Sequence, residues 1–245
     1  MMRPHAETRL ALSRTDVTLS LRLVGAMRDA ILDGTLEPGR HLPERELCAL
    51  FDVSRSLVRE ALQALAAEGL ITIVPHRGPK VTLIDRDAAR DLYRVRAALE
   101  GLACAEFAER ADASQRDAFF AAAARLQTLS EDDPPQRLID AKNVYYERLL
   151  SGCRNQTLAD MFTRLNNRIV QLRRLSLSAA GRLGDTLREI AAVVAAVERR
   201  DPVEARRLAE LHVERAAAVA DRCFAERQRS QAIRNQGDAD GQGNI

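Results

Sequence analysis

Two hydrophobic patterns divide this chain. Between Leu42 and Ile84 the apolar residues come in short clusters bounded by Pro, Gly and small polar residues, whereas from Asp85 to Arg229 they recur at a helical period in stretches rich in Ala, Leu, Arg and Glu. In the first region Pro43 suits the opening turn of a helix, and Glu44 and Glu46 lie where the helix dipole favours carboxylates. Leu47, Leu50 and Phe51 repeat at helical spacing, and Asp52-Val53 makes a turn. Ser54 can cap a second helix whose buried face is Leu57, Val58, Ala61, Leu62 and Leu65. Gly69 ends that helix, and Leu70 to Val74 and Val81 to Ile84 read as strands joined by Pro75-His76-Arg77-Gly78-Pro79-Lys80. Two short helices followed by a β-ribbon make a winged helix-turn-helix.

The second region reads as all helix. Starts are signalled at Asp85 to Asp87, Ser114, the Pro134-Pro135 pair, Asn155, Asp185 or Thr186, and Asp201, where Asp-Pro-Val-Glu joins a cap, a first-turn Pro and an acidic residue. The expected fold is therefore mainly α. A winged helix-turn-helix with a two-stranded β wing occupies residues 18–84, and an all-α bundle of six to seven helices follows at 85–230. Residues 1–17 and 231–245 lack an apolar period and are expected to form a disordered arm and tail.

The first region carries chemistry that names a partner. Ser54, Arg55, Ser56 and Arg59 gather at the start of the second helix and one turn on, where hydroxyls and helix N–H groups hold phosphates and forked Arg side chains read guanine in the major groove. The ribbon tip, with His76, Arg77 and Lys80, is placed to follow the backbone or enter the minor groove. Any one of these cations could be a solvated surface charge, but cap, buried stripe, Arg pair and basic wing agree on double-stranded DNA.

Composition narrows the class. The chain has 245 residues, 46% hydrophobic and 29% charged, enough for two cores. The net charge is only +2, so DNA binding must come from local placement of charge rather than from a polycation. Cys48, Cys104, Cys153 and Cys223 form no C-x-x-C pair, and Cys104 and Cys153 read as buried packing residues rather than redox sensors. No apolar run approaches the roughly 18 residues of a membrane span, and the first residues do not follow the order of a signal peptide. A cytoplasmic protein with no membrane partner is expected. No H-E-x-x-H, G-x-S-x-G or Walker loop occurs, and His5, His41, His76 and His212 lie far apart, so an enzyme is not expected.

The stretches LPERELCALFDVSRSLVREALQALAAEGLI and PHRG, within residues 22–84, resemble the DNA-binding domain of the GntR family of bacterial transcription regulators. The resemblance implies that Arg45, Arg55 and Arg59 contact DNA, that Ser54 and Ser56 assist, and that His76 and Gly78 place the wing. Arg45, early in its helix, is expected to grip phosphate rather than read a base. DLYRVRAALEGLACAEFAER, YYERLLSGCRNQTLADMF, GRLGDTLREIAAVVAAVERRD and DPVEARRLAELHVERA resemble the helical ligand-sensing (FCD-type) domain of the FadR-like branch. That likeness implies a homodimer on a palindromic operator and a bundle holding a small organic acid or related metabolite, often through a divalent metal.

At the metal the chain departs from the family. The positions of the usual ligands fall on Lys142, Tyr146, Ile190 and His212, of which only His212 is a metal ligand in ordinary chemistry. No metal and no other cofactor is expected. Lys142 can instead supply the fixed positive charge, with Tyr146 and His212 beside it, and Arg96 matches a position that family members use to hold the ligand. These four residues are the expected lining of a metal-free pocket for an anionic metabolite. Lys142 and His212 could also be satisfied polar groups in a bundle that has lost sensing, or the ligand could be mostly apolar. Asn155 matches a family motif but reads most simply as a helix cap. The expected function is a dimeric repressor released by its ligand; an activator and a ligand-independent DNA-bound dimer are the alternatives.

Overall fold

The computed structural model describes residues 14–177, 179 and 181–241, without the side chains of residues 14–18, 135, 166, 167, 171, 173–177 and 230–241. The chain separates into two compact units between Leu83 and Ile84.

The first unit holds α1 (Arg14–Leu32), α2 (Glu44–Phe51), α3 (Arg55–Ala67), β1 (Ile71–Val74) and β2 (Gly78–Val81). Its core joins Met27 and Ile31 of α1 to Leu47, Val58, Leu62 and Leu65 of α2 and α3 and to Ile71 and Val81 of the ribbon. Helix α1, which precedes the motif, thus packs against α3, on which α2 in turn rests. The turn between α2 and α3 is made by Asp52 in the left-handed region, with φ of 51°, and by Ser54, whose hydroxyl accepts a bond from the Leu57 N–H at 3.4 Å. Asp tolerates that conformation better than most residues, which is why a three-residue link, Asp52 to Ser54, suffices.

The second strand lies three residues earlier than expected, at 78–81 rather than 81–84. Val74 pairs with Gly78 and Ile71 with Val81, so the tip contains only Pro75, His76 and Arg77. Gly78 and Pro79, expected in the connecting segment, lie in the strand at positions that suit them. Gly78 takes a φ of 79° at the close of the turn. Residue 79 faces the outer edge, where the Pro79 carbonyl accepts from the Leu42 N–H at 2.9 Å, so its missing N–H is not subtracted from the ladder with β1.

The second unit is α4 (Arg86–Arg110), α5 (Ala113–Gln127), α6 (Pro135–Cys153), α7 (Gln156–Leu177), α8 (Arg182–Glu198) and α9 (Pro202–Gly241). Caps fall where the sequence signals them: Asp85 accepts from Ala88 N–H at 2.8 Å, Asn155 from Leu158 at 3.0 Å, and Asp201 from Glu204 at 3.0 Å. Helix α5 begins a residue before Ser114 because Asp112 and Gln115 form a reciprocal capping box. Helix α8 begins at Arg182, not Asp185 or Thr186, since Gly181 with φ of 72° supplies the break.

Two terminal segments differ from expectation. Helix α1 starts at Arg14 and α9 continues to Gly241, so 14–17 and 231–241 are helical; residues 1–13 and 242–245 of the expected arm and tail lie outside the described residues. Arg, Gln and Ala in RQRSQAIRNQ have good intrinsic helix propensity, which extends a helix without an apolar face.

The bundle core contains a row of rings running from α4 through α5 and α6 to α7. Centroids are separated by 4.6 Å from Phe107 to Phe119, 5.0 Å to Tyr145, 5.2 Å to Tyr146 and 5.3 Å to Phe162. The row explains Gly152. A Cβ there would lie 2.2 Å from the Phe107 ring, which is wedged among buried neighbours. Gly152→Ala is expected to destabilise the protein by about 1–3 kcal/mol despite the better helix propensity of Ala. Gly25→Ala in α1, where nothing lies within 4 Å, should be neutral or stabilising; urea denaturation of both variants checks the contrast.

Candidate functional site

The first unit presents its basic residues at two places. At the N-terminus of α3, Ser54, Arg55, Ser56 and Arg59 are all exposed, and the Ser54 and Ser56 hydroxyls lie 3.0 Å apart. Arg59 donates from Nε to the Glu44 carboxylate at 2.8 Å, a link from α3 back to the first residue of α2 that sequence reasoning did not find. The bond from Arg59 holds the Glu44 carboxyl below the usual carboxylate range. Arg45 is exposed on α2, next to Glu44. On the ribbon, His76 and Arg77 are exposed at the tip, with His76 at φ of 61°, while Gly78 and Lys80 are half-buried in β2. Lys80 is paired with Thr72 in the ladder rather than carried in a loop, a consequence of the shifted strand.

The second unit buries a charged cluster. Arg96 and Glu100 on α4, Lys142 and Tyr146 on α6, Arg182 on α8 and His212 on α9 are each no more than 4% exposed. Arg96 donates from Nε to Glu100 and from Nη2 to the Tyr146 hydroxyl, both at 3.1 Å, and Tyr146 donates to the other Glu100 oxygen at 2.8 Å. On the far side Arg182 forks onto Glu189 at 2.9 and 2.8 Å, and Glu189 lies 2.7 Å from His212 Nδ1. Lys142, Glu100 and Arg96 all act on His212 electrostatically, so the four residues expected to line a pocket, Arg96, Lys142, Tyr146 and His212, share one interior region.

The protonation states follow from burial and contacts. Desolvation is the largest influence on His212 and, with Lys142 and Arg96 adding to it, lowers the imidazole to about 4 despite the Glu189 bond. Burial opposes ionisation of Glu189, but the bonds from His212 and Arg182 outweigh it and hold the carboxyl at about 2. At neutral pH His212 is neutral, Nδ1–H donates to Glu189, and Nε2 presents a lone pair to the interior. Among the described residues neither His212 Nε2 nor Arg182 Nε has a hydrogen-bond partner. Orphaned buried polar atoms are costly, by about 1–3 kcal/mol each, and they mark places that a bound group would satisfy.

Charge counting points the same way. Among these described side chains Arg96, Lys142 and Arg182 are positive and Glu100 and Glu189 negative, three against two, with His212 neutral. An interior with a surplus positive charge favours an anion. Open space borders single members of the cluster: a cleft of about 430 Å³ has Tyr146, Asn143, Leu150 and Phe162 in its wall, and a smaller hollow of about 150 Å³ has His212, Glu189 and Leu208, while Arg96 and Lys142 line neither.

The donor set does not fit a divalent metal. Ile190, at a family ligand position, is 1% exposed in the apolar core. The Tyr146 hydroxyl is engaged by Arg96 and Glu100, His212 Nδ1 is engaged by Glu189, and Lys142 brings a positive charge. Among the described residues no three His, Cys, Asp or Glu side chains are grouped to hold a metal. Three participants escaped sequence reasoning: Glu100, one helical turn after Arg96; Glu189, immediately before Ile190; and Arg182, seven residues before Glu189 on the same face of α8. Cys104 and Cys153 are buried, and burial pushes both thiols up, away from the reactive thiolate.

Residues 19–81 match the family described as bacterial regulatory proteins, gntR family, and residues 91–215 match the FCD domain. The HTH-type transcriptional repressor GlaR of Escherichia coli is 26% identical over 196 residues, covering 76% of this chain and 89% of that protein. A crystal structure of a putative transcriptional regulator GntR from Rhodococcus sp. RHA1 is 27% identical, with a TM-score of 0.68 over 82% of this chain and 96% of that one. McbR/YncC of E. coli shares the fold at 18% identity, with a TM-score of 0.73 over 87% of this chain and all of its own.

The buried imidazole makes stability depend on pH. Unfolded, His212 takes a proton as pH falls below its ordinary 6.5, whereas folded it resists until about 4, so stability is flat above that window and lost as pH falls through it. The loss should reach the order of 3 kcal/mol near pH 4. Glu189 adds a further loss as pH falls from 4.5 towards 2. Urea titrations should show His212→Gln flat between pH 6.5 and 4.5, where wild type declines; an equally steep variant would rule out a buried neutral His212.

Proposed function

The chain belongs to the GntR family of bacterial transcription regulators, in the branch that carries an FCD domain, and it is a DNA-binding regulator rather than an enzyme; from that premise we propose that it is a homodimeric repressor whose operator affinity is set by a small anionic metabolite bound without a metal. The observation that carries the effector reading is the buried cluster around Arg96, Lys142 and His212, with surplus positive charge and unfilled hydrogen bonds. A carboxylate satisfies the cations, and a hydroxyl or similar donor on the same molecule satisfies His212 Nε2.

On DNA, α3 enters the major groove. Arg55 and Arg59 read base edges, Ser54, Ser56 and Arg45 hold phosphates, and the wing with His76, Arg77, Gly78 and Lys80 lies along the adjacent backbone. Two copies place two such helices one DNA turn apart on a palindromic operator. Repression is favoured by the name of the GlaR relative. The effector acts by population shift, preferring a dimer geometry that fits the operator poorly and weakening it by that difference in affinity. No described helix is long and apolar enough to cross a membrane, and the protein works in the cytoplasm on DNA.

Alanine at Arg55 or Arg59 should cost about 1–3 kcal/mol on a selected site and much less on random duplex. Alanine at Arg77 or Lys80 should weaken both alike and flatten the salt dependence, as anisotropy titrations over a salt series will show.

The effector reading is tested by a thermal-shift panel of small mono- and dicarboxylic acids. An acid that raises the midpoint of the wild type should lose that effect in Lys142→Ala, while the variant's operator binding without the acid stays unchanged. A response retained in the variant would remove Lys142 from the site.

A further inference from the structure

The link between Glu44 and Arg59 is an odd use of a carboxylate. Glu44 opens α2, whose cap position is Pro43 and offers no side-chain bond, so an acidic group there is well placed to serve its own helix N-terminus. Instead it reaches across to α3 and accepts from Arg59 Nε at 2.8 Å. The two side chains are 31% and 65% exposed, and pairs so wet contribute little to stability. A negative charge on a surface meant for DNA also repels phosphate. Both costs need an explanation.

The geometry of the bond supplies one. Arginine has a planar fork, and a partner on Nε occupies one edge while leaving the Nη1 and Nη2 edge on the opposite side. That free edge is the one that spans guanine O6 and N7. The carboxylate itself is anchored, because α2 and α3 are locked through Leu47, Val58 and Leu62 in one core and through the tight Asp52 turn. We propose that Glu44 is a positioning residue for base readout: it orients the Arg59 guanidinium before DNA arrives, so that its terminal fork meets a guanine edge in the major groove. The inference rests on the reading of α3 as the base-reading helix.

Positioning and repulsion leave different traces. Repulsion acts on any duplex, whereas positioning acts only where a base is read. The test uses the full-length protein and a duplex enriched from a random pool by the wild type, with a scrambled duplex as control, and anisotropy titrations of Glu44→Ala, Glu44→Gln and Arg59→Ala. Glu44→Ala is expected to bind the scrambled duplex at least as well as wild type while its preference for the enriched site falls about tenfold, the scale of one bidentate base contact. Glu44→Gln, whose amide oxygen still accepts from Nε, should keep most of the preference. Repeating the enrichment with Glu44→Ala should relax the same base pair that Arg59→Ala relaxes. An unchanged or increased preference in Glu44→Ala would overturn the proposal and make Glu44 a spectator or a competitor for Arg59. If Arg59→Ala itself keeps the preference, the base-reading role of Arg59 fails and the proposal with it, a result visible without any Glu44 variant. Matched thermal midpoints exclude unfolding as the cause.

Discussion

A helical bundle that takes guanidinium and ammonium groups into its interior must neutralise them there, and this requirement organises the second unit. Arg96 and Glu100 are neighbours on α4, and Tyr146 from α6 bonds both. Arg182 and Glu189 on α8 need His212 on α9 to share the carboxylate. These polar contacts tie together helices that the surrounding apolar residues pack without regard to partner, because apolar contact is non-directional and charge-assisted bonds are not. Even so, among the described residues His212 Nε2 and Arg182 Nε have no hydrogen-bond partner, so the bonding of the cluster is left open at two defined atoms.

The first unit solves a different problem, that of holding donors outward with enough rigidity to read a surface. It does so by economy of connection. Asp52 turns the chain in a left-handed conformation, Ser54 caps α3, and the three-residue tip of the ribbon leaves few free torsions. Residues 39–42 run beside β2, with Gly39 and Leu42 donating to Val81 and Pro79, so the strand is held on both edges although only one partner strand is formally present. Rigidity here means that little order remains to be created on binding, and specificity depends on that saving.

Much of this was legible in the residues. Capping side chains announce themselves because few residue types do the work, and Asp85, Asn155, Asp201 and Ser54 all cap the helices they seemed to precede. The residues of the proposed effector site are expected as a set, by resemblance; Arg96 bonds Tyr146, and Lys142 and Arg96 act electrostatically on His212. Their counter-charges were not found, because an acidic residue on a helix reads as solvated surface unless its neighbours in space are known; Glu189 and Glu100 look no different in sequence from the exposed Glu147. Strand β2 takes in Gly78, Pro79 and Lys80, expected in the connecting segment, because residue types alone do not show which edge Pro79 faces. The helical continuation of α9 has a related explanation, since an apolar period is evidence of packing whereas intrinsic helix propensity carries no such period.

The row of rings from Phe107 to Phe162 has a mechanical meaning. Its fourth member, Tyr146, carries the hydroxyl that joins Arg96 to Glu100, so one end of a polar bond is mounted on a stack that touches four helices. Close-packed interiors are barely compressible, and of the rings in the row Tyr146 and Phe162 border open space in the cleft between α6 and α7. The position of that hydroxyl is therefore shared with the packing of α5 and α7: a substitution that resizes any ring in the row also shifts one end of the bonding between Arg96 and Glu100.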